Sequence, residues 1–201
     1  MEYLFYGRDR PGAMDLRRQT TEAHWSFMDG YASAMIARGP TLAPDNDEFM
    51  TGSLHLVDLP DAAAADTFAY EEPFFKAGVF TELLARRWRN VLGRTMWDFT
   101  GTGRRRFMVL AHGDPAATGP ADELRGQQQE YITRGGHGNG LIAYGPLLAD
   151  NGEDWRGTVV LVESTDRAAA ETMIRDAPYA RTALYTAIET HDWRFGGRPA
   201  T

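Results

Sequence analysis

The sequence predicts an α+β fold written twice: two βαββαβ repeats packed sheet to sheet as an intramolecular α+β barrel. Three observations predict it. Residues 51–88, "TGSLHLVDLPDAAAADTFAYEEPFFKAGVFTELLARRW", lie without a gap against residues 156–193, "RGTVVLVESTDRAAAETMIRDAPYARTALYTAIETHDW", at a constant offset of 105. Both halves run through the same order of strand-period and helix-period segments. A four-stranded sheet with both helices on one face also leaves its other face in need of a cover, which a second copy in the same chain can provide.

The registered pairs are specific. Gly52 meets Gly157, Asp61 meets Asp166, Ala63–Ala65 meet Ala168–Ala170, Pro73 meets Pro178, and Trp88 meets Trp193. Upstream, "EYLFYGRD" matches "RFMVLAHGD", and "ARGPTLAPDN" (37–46) matches "AYGPLLADN" (143–151) with one residue of slippage. The glycines and charges of "TGTGRRR" (100–106) read as the junction, giving repeats at 1–100 and 104–201.

Within the first repeat, residues 2–8 are an apolar strand. Leu16, Ala23, Phe27, Ala34 and Met35 fall near helical spacing, which predicts a helix over 14–35. "MIARGPTLA" reads as a strand interrupted by a Gly-Pro turn, with Pro40 at an edge or bulge. Residues 49–58 alternate Met50, Gly52, Leu54 and Leu56 against Thr51, Ser53, His55 and Val57, a strand period. Asp61 stands in N-cap position before the short helix "AAAADTFAYEE". A last strand is expected over 82–92. The order βαββαβ is the ferredoxin-like split βαβ unit.

Composition narrows the partners. A net charge of −7 argues against a nucleic-acid backbone as ligand, and "RRWR" (86–89) and "RRR" (104–106) read as solvated or anion-holding arginines. The absence of cysteine excludes disulfides, thiolate catalysis and thiolate-bound metals. His24, His55, His112, His137 and His191 fall in no metal-ligand spacing, so no metal is expected. No apolar run approaches the ~18 residues of a membrane span, and "MEYLFYGRDR" lacks the pattern of a secretory leader. A cytoplasmic protein without a membrane partner is the expectation. The loops "GTGRRR" and "GGHGNG" lack the strand–loop–helix context of a phosphate site.

Four motifs in order, "RRQTTEAH" (17–24), "ARGP" (37–40), "TGSLHLVD" (51–58) and "EEPFFKAGVF" (71–80), resemble the YciI-like (YCII-related) proteins. These are small dimeric α+β barrels that also resemble muconolactone isomerase. The resemblance covers most of residues 1–92 and, more faintly, 105–195. It implies a catalytic pair, the helix-borne histidine and the acid before the proline, here His24 and Glu72. The family usually has Asp where this chain has Glu72, one methylene longer. It implies elimination or isomerisation chemistry on small aromatic or lactone-like molecules, with no metal or organic cofactor. A tailoring step in secondary metabolism or in aromatic degradation would suit such chemistry. An acid in hydrogen-bond reach fixes the tautomer of an imidazole and makes it a better base.

Other candidates come from the residues themselves. Ser53 and His55 share a strand face opposite Leu54 and Leu56. If the leucines pack on the helices, Ser53 and His55 point into the space between sheets, as substrate-lining residues or a satisfied polar pair. Arg38 could hold a substrate carboxylate with two parallel hydrogen bonds. In the second repeat, the position of His24 falls on Glu130, or on Ile132 when counted from the helix start. Glu72 becomes Ala177, Ser53 becomes Thr158, His55 becomes Val160, and His137 sits in a glycine-rich turn. The expectation is one competent site, in the first repeat.

Three readings of function remain open on the sequence. One is a cofactor-independent lyase or isomerase using His24 and Glu72, with Arg38, Ser53 and His55 as substrate contacts. Another is a non-catalytic small-molecule-binding or accessory protein. The third is a cofactorless monooxygenase on the same fold. Each has a small-molecule partner, in a chain that is either a pseudo-dimeric monomer or a homodimer.

Overall fold

The repeat folds into two compact units of four antiparallel strands each, in a computed structural model that describes residues 1–44, 46–134 and 138–198. The first unit contains β1 (Glu2–Asp9), α1 (Met14–Asp29), β2 (Met35–Ala43), β3 (Asn46–Asp58), α2 (Ala62–Glu71), α3 (Pro73–Lys76) and β4 (Phe80–Trp88). The second contains β5 (Arg105–Gly113), α4 (Thr118–Arg134), β6 (Leu141–Leu148), β7 (Trp155–Ser164), α5 (Arg167–Arg175), α6 (Pro178–Arg181) and β8 (Tyr185–Trp193). The sheet orders are β4-β1-β3-β2 and β8-β5-β7-β6, the same topology twice. The unit limits do not follow the repeat limits. The first unit spans Met1–Arg87 and also takes the C-terminal segment from Arg194, while the second spans Trp88–Trp193.

Several elements form for reasons visible locally. Asp61 and Asp166 cap α2 and α5, each accepting a hydrogen bond at 2.8 Å from the backbone N–H three residues on. Helix α1 ends at Asp29 rather than running to residue 35, because Ala34 and Met35 are used by the following turn and strand. Strand β4 begins at Phe80 and stops at Trp88, shorter at its end than the sequence pattern suggested.

The Gly-Pro pairs are not turns. Gly39-Pro40 lies inside β2 and Gly145-Pro146 inside β6. What the pair serves is the close passage of another backbone. A Cβ on Gly145 would come within 1.8 Å of the Arg89 carbonyl oxygen, and one on Gly196 within 2.7 Å of Gly39 Cα. Pro40 and Pro146 have no N–H to offer, so only their carbonyls are used, accepting from Arg194 and Arg89 at 3.3 Å.

The face assignment of β3 is also corrected. Val57 packs with Tyr3, Phe5, Met28 and Phe68 in the core between sheet and helices, so Ser53 and His55 face the helices. Leu54 and Leu56 are buried on the opposite face. The helix layer, not the space beyond the sheet, holds the polar residues. Its carrier is the buried stripe of α1, Arg17, His24 and Met28. Positions 17, 24 and 28 share one helical face, but two of the three are polar, so a hydropathy pattern passes over them.

Among the described residues no helix is long and apolar enough to cross a membrane.

Candidate functional site

The site starts from a proline. Pro73 stands at the first position of α3, where its missing N–H costs nothing. That makes Glu72 the N-cap, and its carboxylate accepts from Phe74 N at 3.0 Å and Phe75 N at 2.8 Å. The same carboxylate meets His24 Nδ1 at 2.6 Å. One Glu72 side chain thus both caps α3 and reaches α1. Its oxygens already accept backbone N–H groups, so the shared proton belongs to Nδ1, which donates to Oε1. Nε2 is then the nitrogen with a free lone pair, and it has no hydrogen bond among the described residues. Phe74 holds the ring flat by stacking on it, with centroids 4.1 Å apart and planes at 13°.

A second polar group lies two turns away along α1. Arg17 donates through Nε and Nη2 to the two oxygens of Asp9 at 2.8 and 3.0 Å, and through Nη2 to Ser53 Oγ at 2.8 Å. Burial raises the Asp9 carboxyl above its ordinary value and outweighs the opposing pull of Arg17. His55 lies beside His24, with ring centroids 5.6 Å apart. Its burial, reinforced by the nearby charges of Arg38 and Arg17 and by that of His24 whenever its ring is protonated, holds it well below the usual imidazole value, so it is neutral at physiological pH.

These groups line a cavity of about 450 Å³. His24, Arg38, Ser53 and His55 all face it, and Glu72 stands behind His24. The structure thus brings together all five residues nominated from sequence, and adds Arg17 and Asp9, which sequence reasoning missed. The seven-residue spacing of Arg17 and His24, two turns on one face, was the available signal for Arg17.

The C-terminal segment supplies the remaining wall. Arg194 N and Gly196 N donate to the carbonyls of Pro40 and Arg38, so residues 194–196 run along β2. Gly197 has φ +135°, and a Cβ there would lie 2.9 Å from Arg38 Nη2. Arg198 fastens the end to α1, bonding Asp29, Glu22 and Ser26 at 2.8, 2.8 and 2.9 Å. Arg194 and Phe195 consequently line the cavity.

The second unit shows what the same architecture looks like without these groups. Its buried α4 stripe is Ala121, Gln128 and Ile132, so the residue matching His24 is Gln128. Glu130 is exposed and pairs with Arg134 one turn on. The sequence comparison missed this because the offset is 104 in β5 and α4, 106 at the Gly-Pro pair of β6, from which the histidine's position was counted back, and 105 in β7: Phe5 faces His55 as Val109 faces Val160, and Gly39 faces Leu54 as Gly145 faces Val159. Gln128 Oε1 accepts from Tyr179 N at 3.0 Å, taking over the cap that Glu72 gives in the first unit. Ala121 replaces Arg17, Gly113 replaces Asp9, and the space is filled by Trp155, Tyr179 and Tyr185 in mutual contact. Tyr185 donates to Thr158 Oγ1 at 2.9 Å, where the first unit has Arg17 on Ser53. His137, the other histidine considered there, lies outside the described residues. His112 and His191 both turn to Glu189, at 2.7 and 3.1 Å. Among the described residues no three acidic or histidine side chains are arranged to hold a metal ion.

Two βαββαβ units, the first with a helix-borne histidine set against a pre-proline acid, define an α+β protein with a cavity under the helices of that unit. The YCII-related domain model matches residues 1–89 and again 105–194, so the chain belongs to the YCII-related family, in tandem. No curated protein matches it. Among solved structures, chlorite dismutase from Candidatus Nitrospira defluvii in complex with imidazole is similar over 96% of this chain and 91% of its own, at 9% identity and TM-score 0.56. A candidate monooxygenase from Lactobacillus acidophilus is similar over 96% and 93%, at 6% identity and TM-score 0.55. These two share the fold. A 5-chloro-2-hydroxyhydroquinone dehydrochlorinase from Burkholderia phenoliruptrix, in complex with 2,5-dihydroxybenzoquinone, matches 47% of this chain and 99% of its own, at 29% identity and TM-score 0.43.

Proposed function

We propose that the protein is an acid/base enzyme of lyase or isomerase type acting on a small organic molecule, with His24 as the proton-transferring residue. The observation that supports this most is the 2.6 Å contact of His24 Nδ1 with a carboxylate whose two oxygens each also accept a backbone N–H. It leaves Nε2 as the reacting nitrogen. In the forward step Nε2 takes a proton from substrate carbon or hydroxyl. The electron pair released forms the new double bond and either expels a leaving group or shifts along the molecule. The imidazolium keeps its Nδ1 proton on Glu72 and returns the Nε2 proton to the leaving group or to another carbon. Neutral His55 and the Arg17-bound Ser53 hydroxyl stand ready to hydrogen-bond the substrate, and Arg38 to hold an anionic substituent.

The test is a turnover screen with small hydroxylated aromatic and lactone substrates, run with an oxygen electrode. His24→Ala is expected to lower kcat at least about 10²-fold. Turnover that survives in His24→Ala, or that consumes oxygen in step with product, overturns the reading. Long-range ¹H–¹⁵N spectra of the free protein check the tautomer independently, since His24 is expected to be protonated at Nδ1.

A further inference from the structure

The cavity is lined by arginines in a chain that carries more acids than bases, 28 Asp and Glu to 21 Lys and Arg. Arg17, Arg38, Arg194 and Arg198 line it, and no carboxylate does so among the described residues. The carboxylates stand behind the arginines. Asp9 takes Arg17 in two hydrogen bonds, and Glu22 and Asp29 take Arg198. Arg38 is 4.0 Å from Asp29. Arg194 has no side-chain hydrogen bond or ion pair among the described residues, so none of them balances its charge. It is also exposed at the cavity wall.

The backbone places Arg194 beside Arg38. Arg194 N bonds the Pro40 carbonyl and Gly196 N bonds the Arg38 carbonyl, so the segment after β8 runs along β2 with Arg194 opposite Pro40 and Gly196 opposite Arg38. Gly196, opposite Arg38, carries no side chain, and both arginines line the same cavity. Phe195, Trp25, Phe74 and Met28 give the rest of the cavity an apolar, largely aromatic surface. Two guanidinium groups on one cavity wall, one of them without an ion-pair partner among the described residues, fit an anionic oxygen pair, and the aromatic walls fit a flat ring.

We infer that Arg194 and Arg38 form an anion subsite, so that the substrate is a planar aromatic molecule carrying a carboxylate or ionised hydroxyl. Arg194 belongs to the end of the second repeat, so the copy that has lost the histidine and the acid still contributes a binding residue to the other's site. The latch of Arg198 on α1 and the glycines at 196 and 197 hold that contribution in place. This deepens the acid/base reading and rests on it only for which atom of the bound molecule reacts.

The test compares benzoate with benzamide, a matched pair differing in charge, by calorimetry or NMR titration of the full chain. Benzoate is expected to bind at least about tenfold more tightly, and Arg194→Met to remove that difference while leaving benzamide unchanged. Arg194→Glu is expected to make benzoate the weaker of the two. Arg194 is exposed, so these variants keep the fold, and Arg38→Lys gives a milder check at the less exposed member. Equal binding of the two probes, failure of both to bind, or an Arg194→Met protein that still prefers benzoate overturns the subsite. The subsite is read from benzoate and benzamide binding to the chain with His24 in place and the acid/base role from turnover, so failure of the one and failure of the other are read separately.

Discussion

Removing the carboxylate of Glu72 and then repairing it the way the second unit does is the most searching perturbation of this protein. Glu72→Ala leaves the Phe74 and Phe75 N–H groups and His24 Nδ1 without acceptors in a buried place. A lost N-cap costs about 0.5–2 kcal/mol, and a hydrogen bond to a charged group about 1.5–3 kcal/mol. Because the three bonds share one side chain they do not add fully, and a total of about 4 kcal/mol is expected. In a protein of this size that lowers Tm by roughly 8–16 °C. The second unit already has alanine at this position, Ala177, and satisfies the α6 N-terminus from α4 through Gln128 Oε1 to Tyr179 N at 3.0 Å. His24→Gln added to Glu72→Ala therefore reproduces that arrangement, with the introduced glutamine accepting from Phe74 N. The double variant is expected to recover about half the loss, since one backbone donor is satisfied and the stranded imidazole is gone. Urea and thermal unfolding of the four proteins in the cycle measure it. A Glu72→Ala cost under about 1 kcal/mol, or a double variant no more stable than the single, would refute the reasoning.

Further outcomes follow from the same geometry. Arg17→Met leaves buried Asp9 without its bidentate partner and is expected to cost about 3–5 kcal/mol by denaturant unfolding, with Asp9→Asn added recovering part of it. The depressed pKa of His55 means the unfolded chain binds its proton first as pH falls. Its contribution to stability is full above the unfolded value of 6.5 and is lost as pH drops below it toward the folded value. Tm measured from pH 8 to 5 should thus fall below pH 6.5 by an increment that His55→Asn removes, at most about 1.4 kcal/mol per pH unit. Gly145→Ala sets a methyl 1.8 Å from the Arg89 carbonyl oxygen, and is expected to destabilise by at least about 2 kcal/mol in the same unfolding assay. Trp155→Ala should cost about 3–5 kcal/mol and open, in the second unit, the space that the first unit leaves as a cavity, with added indole partly restoring Tm.

The sequence by itself determined the duplication and the order of elements, and its family motifs pointed to His24 with Glu72. Each is carried by local information: registered residue types, strand and helix periods, an N-cap before Ala-rich helices, an acid before a proline. Tertiary structure decided what depended on one chain segment meeting another. The Gly-Pro pair looked like a turn because its chemistry allows one, but a backbone passing within touching distance requires the same residues in a strand. The inward face of β3 could not be read, because Leu54–Leu56 and Ser53–His55 alternate equally well and only the polar stripe of α1 says which side the helices cover. Gln128 was missed because two residues of slippage between α4 and the Gly-Pro pair of β6 rotate a helix position by about 200°. The tail carrying Arg194 was invisible as part of the site, since residues so far apart in the chain meet His24 only after the strands have paired.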